Sequence, residues 1–306
     1  MKAMSAEEFE AQLPEEQRWE NLTLANDFIF GKVARHPDVY PELLRRILPN
    51  EKIGRIEIIE TQKTIDESID SGGVRLDIHG QSEFDEDFVT EMQTVNRGEL
   101  PKRSRYYHGM LSLRQMSQPR PPGVKRSYKA LKRQFVIFIC TFDPFGKGRY
   151  VYTFTNQCHE LPNLELDDGT TTIFLNSNGI CGDISPELKA FLDYVAGKPP
   201  TGDDPFIARI DELVAEAKQK TEWKVEYMTL AMRDALNFED GVERGRKEGR
   251  KEGRKEGRKE GRREGRQEAL LDTARRMLSA GMSPEQISGL TVLPISEVNA
   301  LQKAMI

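Results

Sequence analysis

The alternation of apolar and polar residues along the chain predicts a mixed series of helices and strands. Residues 21–49 carry apolar side chains at helical spacing and predict two helices, the second of which ends at Pro49. Residues 101–118 predict a further helix. Short alternating or wholly apolar runs predict strands at residues 53–60, 74–80, 87–95, 133–142, 149–157 and 171–177. The run 133–142 lacks polar alternation, which indicates a buried central strand, and the order of the elements is that of a mixed α/β domain.

The C-terminal third has a different pattern. Residues 206–238 predict helix, and from Gly241 to Gly265 glycine then occupies every fourth position of EGRK-type tetrads. Seven glycines would each destabilise a helix by about 0.5–1 kcal/mol relative to alanine, and charged pairs on neighbouring turns offset only about 0.2–0.5 kcal/mol each. We therefore expect a marginal helix or a flexible charged tether. Close packing of two such helices through their glycines is the weaker alternative.

The last 38 residues predict a small helical unit. Gly281 is suited to end one helix, and Ser283, Pro284 and Gln286 form a capping box that starts the next. This pattern is typical of a helix-turn-helix-like module. The predicted domains are residues 1–205, a helical segment at 206–240, the tetrad tether at 241–268 and the module at 269–306.

Composition narrows the class of protein. Of the 306 residues 37% are hydrophobic and 31% are charged, and no run approaches the about 20 apolar residues of a membrane span. The acidic N-terminus lacks the apolar region of a signal peptide, so a cytoplasmic protein is expected. The three cysteines, Cys140, Cys158 and Cys181, are too few and too widely spaced for a disulfide framework or a C-x-x-C zinc site.

The distribution of charge is more informative than the net charge of -5. Residues 97–133 carry 11 basic side chains and one acidic side chain, whereas residues 1–96 carry 10 basic and 21 acidic ones. An acidic protein with one concentrated basic segment is expected to bind a polyanion at a single site. The alternative is a basic helix face that is merely solvated.

Two carboxylates mark the candidate chemistry. Asp77 lies in the predicted strand 74–80, and Glu91 follows 14 residues later in the next predicted strand. If the two strands form a hairpin, the two-residue period of a strand lets Asp77 and Glu91 converge at the end of the sheet. Paired carboxylates bind Mg²⁺, which can polarise a phosphodiester and activate water. The alternative is that both residues are ordinary surface positions.

Several sequence runs together resemble a known family. They are NDFIFGKVARHP, LLRRILP, IGRIEIIE, GGVRLDIHG and FVTEMQTVNRGELPKRSRYYHGML. Over about residues 22–180 the chain resembles the PD-(D/E)XK nuclease-like transposases, the recombination-promoting nucleases of bacteria. The resemblance implies a restriction-endonuclease-like mixed sheet flanked by helices, and Mg²⁺-dependent cleavage of DNA.

The resemblance also implies roles for individual residues. Asp77 and Glu91 would be the metal-binding carboxylates, and Met92 would offer its backbone carbonyl. Gln93 would complete the catalytic set in the place of the motif lysine. Asp27 would correspond to an acidic residue near the metal, or would be an ordinary polar residue at the start of a helix.

Gln93 departs from the motif because it can orient water but carries no charge. The missing cation must come from another residue, and Lys102, Arg103 and Arg105 on the next predicted helix are candidates. Together with Arg97 these residues are also the predicted contacts to DNA phosphates. No pattern for reading base edges accompanies them, so low sequence specificity is expected.

Other polar and aromatic residues point less clearly to function. Tyr106, Tyr107 and Tyr128 are interleaved with the basic residues, and packing is the favoured role for tyrosines in a helix. The four histidines lack metal-ligand spacing. His79 lies on the predicted face of Asp77, but the pattern favours an exposed histidine without a role.

The sequence thus favours an Mg²⁺-dependent DNA endonuclease, linked to recombination or element mobility. It would form a homo-oligomer through its C-terminal region. One alternative is a weakly active nuclease fold that binds DNA or another protein. Another is a transcriptional regulator acting through residues 269–306, but the candidate recognition helix has one basic residue, Lys303, and one acidic residue, Glu297.

Overall fold

The computed structural model describes residues 6–59, 77–119, 123, 125, 127–199 and 202–305. Within it the chain forms two compact units, residues 1–230 and 231–306. The four domains expected from the sequence stay a prediction. The first residues of the predicted strand 74–80 lie outside the described residues, and the strand is described from Ile78 onward.

The first unit is built on a mixed sheet. Its described strands are β1 (Ile56–Ile58), β2 (Ile78–Ser82), β3 (Asp87–Gln93), β4 (Gln134–Cys140), β5 (Val151–Phe154) and β6 (Thr170–Asn176). Six strands lie in the order β1-β2-β3-β4-β6-β5. Strands β3, β4 and β6 run parallel, whereas β1, β2 and β5 are antiparallel to their neighbours. The predicted mixed α/β sheet is therefore confirmed.

Helices cover both faces of this sheet. In the described part of the first unit they are α1 (Ala6–Glu10), α2 (Asp27–Ala34), α3 (Val39–Ile47), α4 (Leu100–Ser117), α5 (Pro186–Val195) and α6 (Pro205–Gln219). On one face Phe88 and Ile137 join a core with apolar residues of α2, α3, α5 and α6. On the other face Val89 and Phe138 pack with Tyr107 of α4. Helix α4 therefore covers the side of the sheet on which Glu91 and Gln93 lie.

Strand β4 is the central strand that its unbroken apolar run predicts. All seven of its residues are buried, and it pairs with β3 on one side and with β6 on the other. A strand buried on both faces needs apolar side chains on both, which explains why polar alternation is missing.

The parallel strands give the sheet two distinct edges. Strands β3, β4 and β6 end side by side at Gln93, Cys140 and Asn176, which are paired in register. We call this the carboxyl edge. Strands β3 and β4 begin at the opposite edge, with Asp87 paired to Gln134. Connections that leave the carboxyl edge therefore lie near the end of the strand that carries Glu91.

Helix α7 (Thr221–Ser279) contains the whole tetrad repeat. The structure thus shows the helical state of the two that the sequence allowed, with residues 241–268 exposed throughout. A strict four-residue repeat places residues of like charge at i,i+4, as in Arg246 and Arg250, where they repel each other. Attraction within the repeat is limited to i,i+3 pairs such as Glu248 and Lys251. The repeat therefore gains little stability from its own charges.

The chain ends in helices α8 (Pro284–Thr291) and α9 (Ile295–Ala304). Ala274, Ile287 and Val298 belong to a small core shared with the end of α7. The predicted capping box is confirmed, because the Ser283 hydroxyl accepts a hydrogen bond from the Gln286 amide and the Gln286 side chain accepts one from the Ser283 amide. The predicted helical module is thus present at these residues.

Two further expectations concern membranes and thiols. No helix in the described ranges combines the length and the low charge that a bilayer span requires. All three cysteines are free thiols, and Cys140 is buried at the end of β4. The absence of a disulfide framework agrees with the spacing of the cysteines.

Candidate active site

Asp77 and Glu91 meet across the β2–β3 hairpin. The antiparallel register pairs Ile78 with Thr90, which puts Asp77, just before β2, opposite Glu91. The Asp77 amide donates a hydrogen bond to Glu91 Oε1 at 3.2 Å. The Met92 amide donates one to Asp77 Oδ2 at 2.8 Å. The structure therefore brings the two predicted carboxylates together, and each is held by the backbone of the opposite strand.

Helix α4 supplies two further groups to Glu91. Arg103 Nη2 donates to Glu91 Oε2 at 3.0 Å, and the Tyr107 hydroxyl donates to the same oxygen at 3.2 Å. Arg103 Nη2 also donates to the Tyr107 oxygen at 2.7 Å. Arg103 and Tyr107 lie one helical turn apart, so one face of α4 presents both to the carboxylate.

Gln93 binds the same guanidinium. Its Oε1 accepts a hydrogen bond from Arg103 Nη1 at 3.1 Å. Gln93 lies two residues after Glu91 on β3, so both side chains leave the same face of the strand and reach one arginine. A cation therefore lies beside the motif position that carries no charge of its own.

Burial dominates the electrostatics of Glu91, which is 2% exposed. Burial raises the pKa of Glu91 to about 7, although Arg103 and the hydrogen bonds from Asp77 and Tyr107 act in the opposite direction. The negative charge of Asp27 raises this pKa further. Near neutral pH the carboxyl group is therefore poised between its two protonation states.

Asp27 is exposed at the first residue of α2. Its Oδ1 accepts a hydrogen bond from the Phe28 amide at 2.8 Å, so it takes part in starting the helix. Its electrostatic effect on Glu91 also places it within range of the site. Asp27 is thus a polar residue at a helix start, and its role as a neighbour of a bound metal stays a prediction.

The set of possible metal ligands is small. Among the described residues no three His, Cys, Asp or Glu side chains lie close enough to form a metal-binding cluster. Asp77 and Glu91 are the only pair predicted to bind metal, and all their donor atoms are oxygens. Such donors suit a hard divalent cation.

The predicted DNA contacts separate into two groups. Arg97, Lys102 and Arg105 are exposed at or near the start of α4, close to the carboxyl edge. Arg103 is only partly exposed, and its guanidinium is engaged by Glu91 and Gln93. The first three face solvent, whereas Arg103 belongs to the site itself.

His79 is not the exposed histidine that the sequence favoured. It is buried, and its ring Nε2 lies 2.7 Å from Asp87 Oδ1. Arg114 and Gln115 donate to the two oxygens of Asp87 at 2.9 and 2.7 Å. His79 pairs with Val89 beneath α4, and that helix shields it from solvent. His79 thus belongs to a buried polar cluster that ties α4 to the sheet.

Tyr107 is the functional candidate that the sequence interpretation missed. Its burial agrees with the packing expected of tyrosines, whereas Tyr106 and Tyr128 are 51% and 82% exposed. One feature of the sequence could have indicated a role for Tyr107. It lies four residues after Arg103, which puts the two side chains on one face of a helix. Which carboxylate that face meets depends on how α4 packs against the sheet.

Comparison with known proteins identifies the family. The family model of the PD-(D/E)XK nuclease family transposases matches residues 25–176. Searches of curated proteins and of solved structures found no match. The family match and the mixed six-stranded sheet with flanking helices confirm the predicted α/β restriction-endonuclease-like fold. The domain that carries Asp77, Glu91 and Gln93 therefore belongs to the PD-(D/E)XK nuclease family transposases.

Proposed function

We propose that this chain is a metal-dependent DNA endonuclease of low sequence specificity, linked to recombination or to the movement of a mobile element. The family supports a nuclease function related to recombination. The observation that carries the proposal is the hydrogen-bonded pair Asp77 and Glu91 at the carboxyl edge, with Arg103 joining Glu91 to Gln93. This arrangement combines oxygen ligands, a cation and a water-orienting amide within one site.

The donor set fits a divalent metal, which nucleases of this type typically use. Mg²⁺ usually binds to one or two carboxylates and completes its shell with water and substrate phosphate. Asp77 and Glu91, with the backbone carbonyl of Met92, are therefore sufficient without a third acidic side chain. Bound there, Mg²⁺ would polarise the phosphodiester and lower the pKa of a water molecule.

Gln93 and Arg103 together take the two roles of the motif lysine, which are to orient the attacking water and to supply positive charge. The Gln93 amide positions the attacking water by hydrogen bonding and holds Arg103 Nη1 through its own oxygen. Arg103 supplies the positive charge that stabilises negative charge developing on the phosphate. Tyr107 accepts from Arg103 Nη2 and fixes the guanidinium in that place.

The substrate surface follows from the exposed cations. Arg97, Lys102 and Arg105 lie near the carboxyl edge and contact DNA phosphates. Phosphate contacts fix position on the duplex but carry no sequence information, which accounts for the low specificity.

The C-terminal region joins copies of the chain into a homo-oligomer. Its core of four buried apolar residues is small for an independently folded unit. Leu290, Val292 and Ile295 remain exposed around the α8–α9 turn. Association with a second copy would cover them. The three free thiols suit the reducing cytoplasm as the place of action.

A second candidate function is a DNA-binding protein with weak catalysis. The ion pair between Arg103 and Glu91 favours it, because a metal would compete with the guanidinium for Glu91 Oε2. A regulator acting through α9 is the weakest alternative, since Lys303 is the one basic residue of that helix.

The decisive experiment incubates the purified full-length chain with supercoiled plasmid, in Mg²⁺ and in EDTA. Nicking in Mg²⁺ and none in EDTA is the expected result, and Asp77→Asn should abolish it. Asp85→Asn is the matched control, because Asp85 is exposed in the β2–β3 turn and its positive φ of 64° is readily adopted by asparagine. Full cleavage by Asp77→Asn would refute the assignment. Binding without cleavage by the wild type would favour the second candidate.

A further inference from the structure

Two connections at the carboxyl edge form one rigid surface that the basic segment 97–133 does not include. The first is residues 141–150, which leave β4, and the second is residues 177–182, which leave β6. We call them together the edge platform. It begins beside the candidate site, because the Thr141 amide donates to the Gln93 carbonyl at 3.0 Å.

The first loop is organised by an internal carboxylate. Asp143 accepts hydrogen bonds from the Phe145 amide at 3.0 Å, the Gly148 amide at 2.6 Å and the Tyr152 hydroxyl at 2.8 Å. The Tyr152 oxygen in turn accepts from the Arg149 amide at 3.2 Å. Burial alone would raise the pKa of Asp143, but these hydrogen bonds lower it. The carboxylate of Asp143 is therefore used to hold the loop together through hydrogen bonds.

The second loop is fastened to the first. The Gly148 carbonyl accepts from the Ile180 amide at 2.7 Å and from the Cys181 amide at 3.0 Å. The Tyr150 amide donates to the Cys181 carbonyl at 3.0 Å. Gly179 lies so close to Tyr150 that a Cβ there would meet the ring at 2.5 Å. The two loops consequently hold a fixed relative position.

This rigid surface presents two cations and one apolar side chain. Lys147 and Arg149 are exposed, and neither forms an ion pair with a described residue. Ile180 is 84% exposed and lies against Gly148, the residue that separates Lys147 from Arg149 in the sequence. Residues 134–240 carry 9 basic and 18 acidic side chains, so these two exposed cations lie in an otherwise acidic part of the chain.

The platform and α4 flank the site from different sides. Neighbouring strands are about 4.8 Å apart, so loops leaving β4 and β6 lie about 5–10 Å to one side of β3. Asp77 lies on the other side, next to β2. A duplex laid across the carboxyl edge would therefore meet phosphate-binding cations on the platform as well as at the start of α4.

We infer that the edge platform is a second DNA-contact surface, with Lys147 and Arg149 bound to backbone phosphates and Ile180 against the sugar edge between them. The inference rests on the proposed function. Arginine and lysine side chains are common donors to DNA phosphates, and apolar side chains next to such cations make further contacts with DNA in minor-groove proteins. Their preformed loop geometry means that little conformational entropy is lost on binding.

The test measures binding of full-length protein to a short duplex in EDTA, over a series of salt concentrations, by fluorescence anisotropy. The double variant Lys147→Ala/Arg149→Ala should lower the slope of log K against log salt by about 0.9 per lost contact, about 1.8 in total. The matched control is Lys52→Ala/Arg55→Ala, which removes one exposed lysine and one exposed arginine at the opposite edge of the sheet. It should leave the slope unchanged.

Ile180→Ala separates the apolar contact from the electrostatic ones. It should weaken binding equally at every salt concentration and leave the slope as in the wild type, because no counterion release is involved. Polyglutamate should compete poorly with the duplex. Equal competition by polyglutamate would mean a general polyanion surface and would overturn the inference.

The remaining outcomes are distinguishable. If the wild type binds DNA and the Lys147/Arg149 variant keeps its slope and affinity, the platform inference is wrong and the proposed function stands. If the wild type binds no DNA, both fail. Unchanged thermal unfolding of the variants would show that the exposed substitutions act on binding.

Discussion

The guanidinium of Arg103 lies 3.0 Å from the buried carboxylate of Glu91, across the contact between α4 and the sheet. The same group binds Gln93, so a single arginine spans both ends of the E-x-Q motif. The helix that follows β3 therefore places a cation beside Gln93, where the motif has a lysine, and we propose that Arg103 supplies the charge of that lysine. Cleavage by this site is therefore expected to depend on Arg103, which takes the place of the motif lysine.

Removing the arginine should impair the chemical step. Arg103→Ala is expected to lower kcat for plasmid nicking by about 100-fold, the usual loss when one group that stabilises transition-state charge is removed. Gln93→Lys alone should be tolerated, and in the Arg103→Ala background it should restore part of the rate. Arg105→Ala, two residues along α4, should raise KM and leave kcat unchanged. Failure of Gln93→Lys to rescue would show that Arg103 does not replace the lysine.

Tyr107 should contribute through its hydroxyl. Tyr107→Phe removes the hydrogen bonds to Glu91 and Arg103 but keeps the ring, which stacks on Phe138. Loss of these two hydrogen bonds to charged groups predicts a fall in kcat of at least about tenfold. Tyr106→Phe, at an exposed neighbour, is the control. A wild-type rate for Tyr107→Phe would limit Tyr107 to packing.

Glu91 should make stability depend on pH. Its pKa of about 7 is raised from an ordinary value of 4.5, so between these values the folded protein holds a proton that the unfolded chain has released. The contribution of this group to the free energy of unfolding is therefore greatest in acid and falls as the pH rises through 7. Glu91→Gln, which is always neutral, should lack this fall and be the more stable protein above pH 7 in EDTA.

Urea unfolding from about pH 5 to about pH 8 measures this difference. Glu57→Gln, at an exposed position of β1, is the control and should follow the wild-type curve. Parallel curves for the wild type and Glu91→Gln would contradict the raised pKa. Cleavage in Mg²⁺ should rise over the same range, because metal binding needs the ionised carboxylate.

DNA binding should depend on the position of a cation more than on its number. Alanine at Arg97 and Lys102 should weaken binding to unrelated duplexes equally and reduce the salt slope by about 0.9 for each contact. Lys129→Ala is the comparison, because Lys129 belongs to the same basic segment but lies near the start of β4, at the opposite edge. Anisotropy titrations that show sequence-dependent losses would count against contacts to the backbone alone.

The C-terminal region should control assembly. Truncation after Asp240 removes the tetrads and the terminal module and should convert an oligomer into a monomer in light scattering. The truncated chain should still nick plasmid through Asp77 and Glu91, with lower efficiency because paired sites no longer act together. An unchanged mass would place the contact between copies elsewhere.

Val292 offers a finer test of the same contact. It is 89% exposed and has a positive φ of 62°, a conformation that strains a β-branched residue by about 1–3 kcal/mol. Val292→Gly relieves this strain, so the full-length protein should become more resistant to heat. The substitution also removes an apolar side chain from the contact between copies, so the oligomer should be weaker and its dissociation constant should rise. Greater stability with unchanged association would mean that the side chain has no partner.

The sequence by itself determined the pairing of the carboxylates and the order of the elements up to β6, but it did not predict helix α5 or the break between α6 and α7. Local periodicity sufficed for this, since side chains two residues apart share a face of a strand and a hairpin aligns Asp77 with Glu91. It also determined the capping box at Ser283, because a cap depends on residues three positions apart. It limited the candidates for the cation that Gln93 lacks to Lys102, Arg103 and Arg105 on one helix, but it did not distinguish among them.

The choice of Arg103 was made by the packing of α4, which aims one face of the helix at Glu91 and Gln93 and leaves Lys102 and Arg105 in solvent. The same packing buries His79, whose polarity alone suggested exposure. Lys147 reaches the carboxyl edge only because β4 pairs in parallel with β3. Such placements depend on contacts between residues far apart in sequence, which local pattern does not encode.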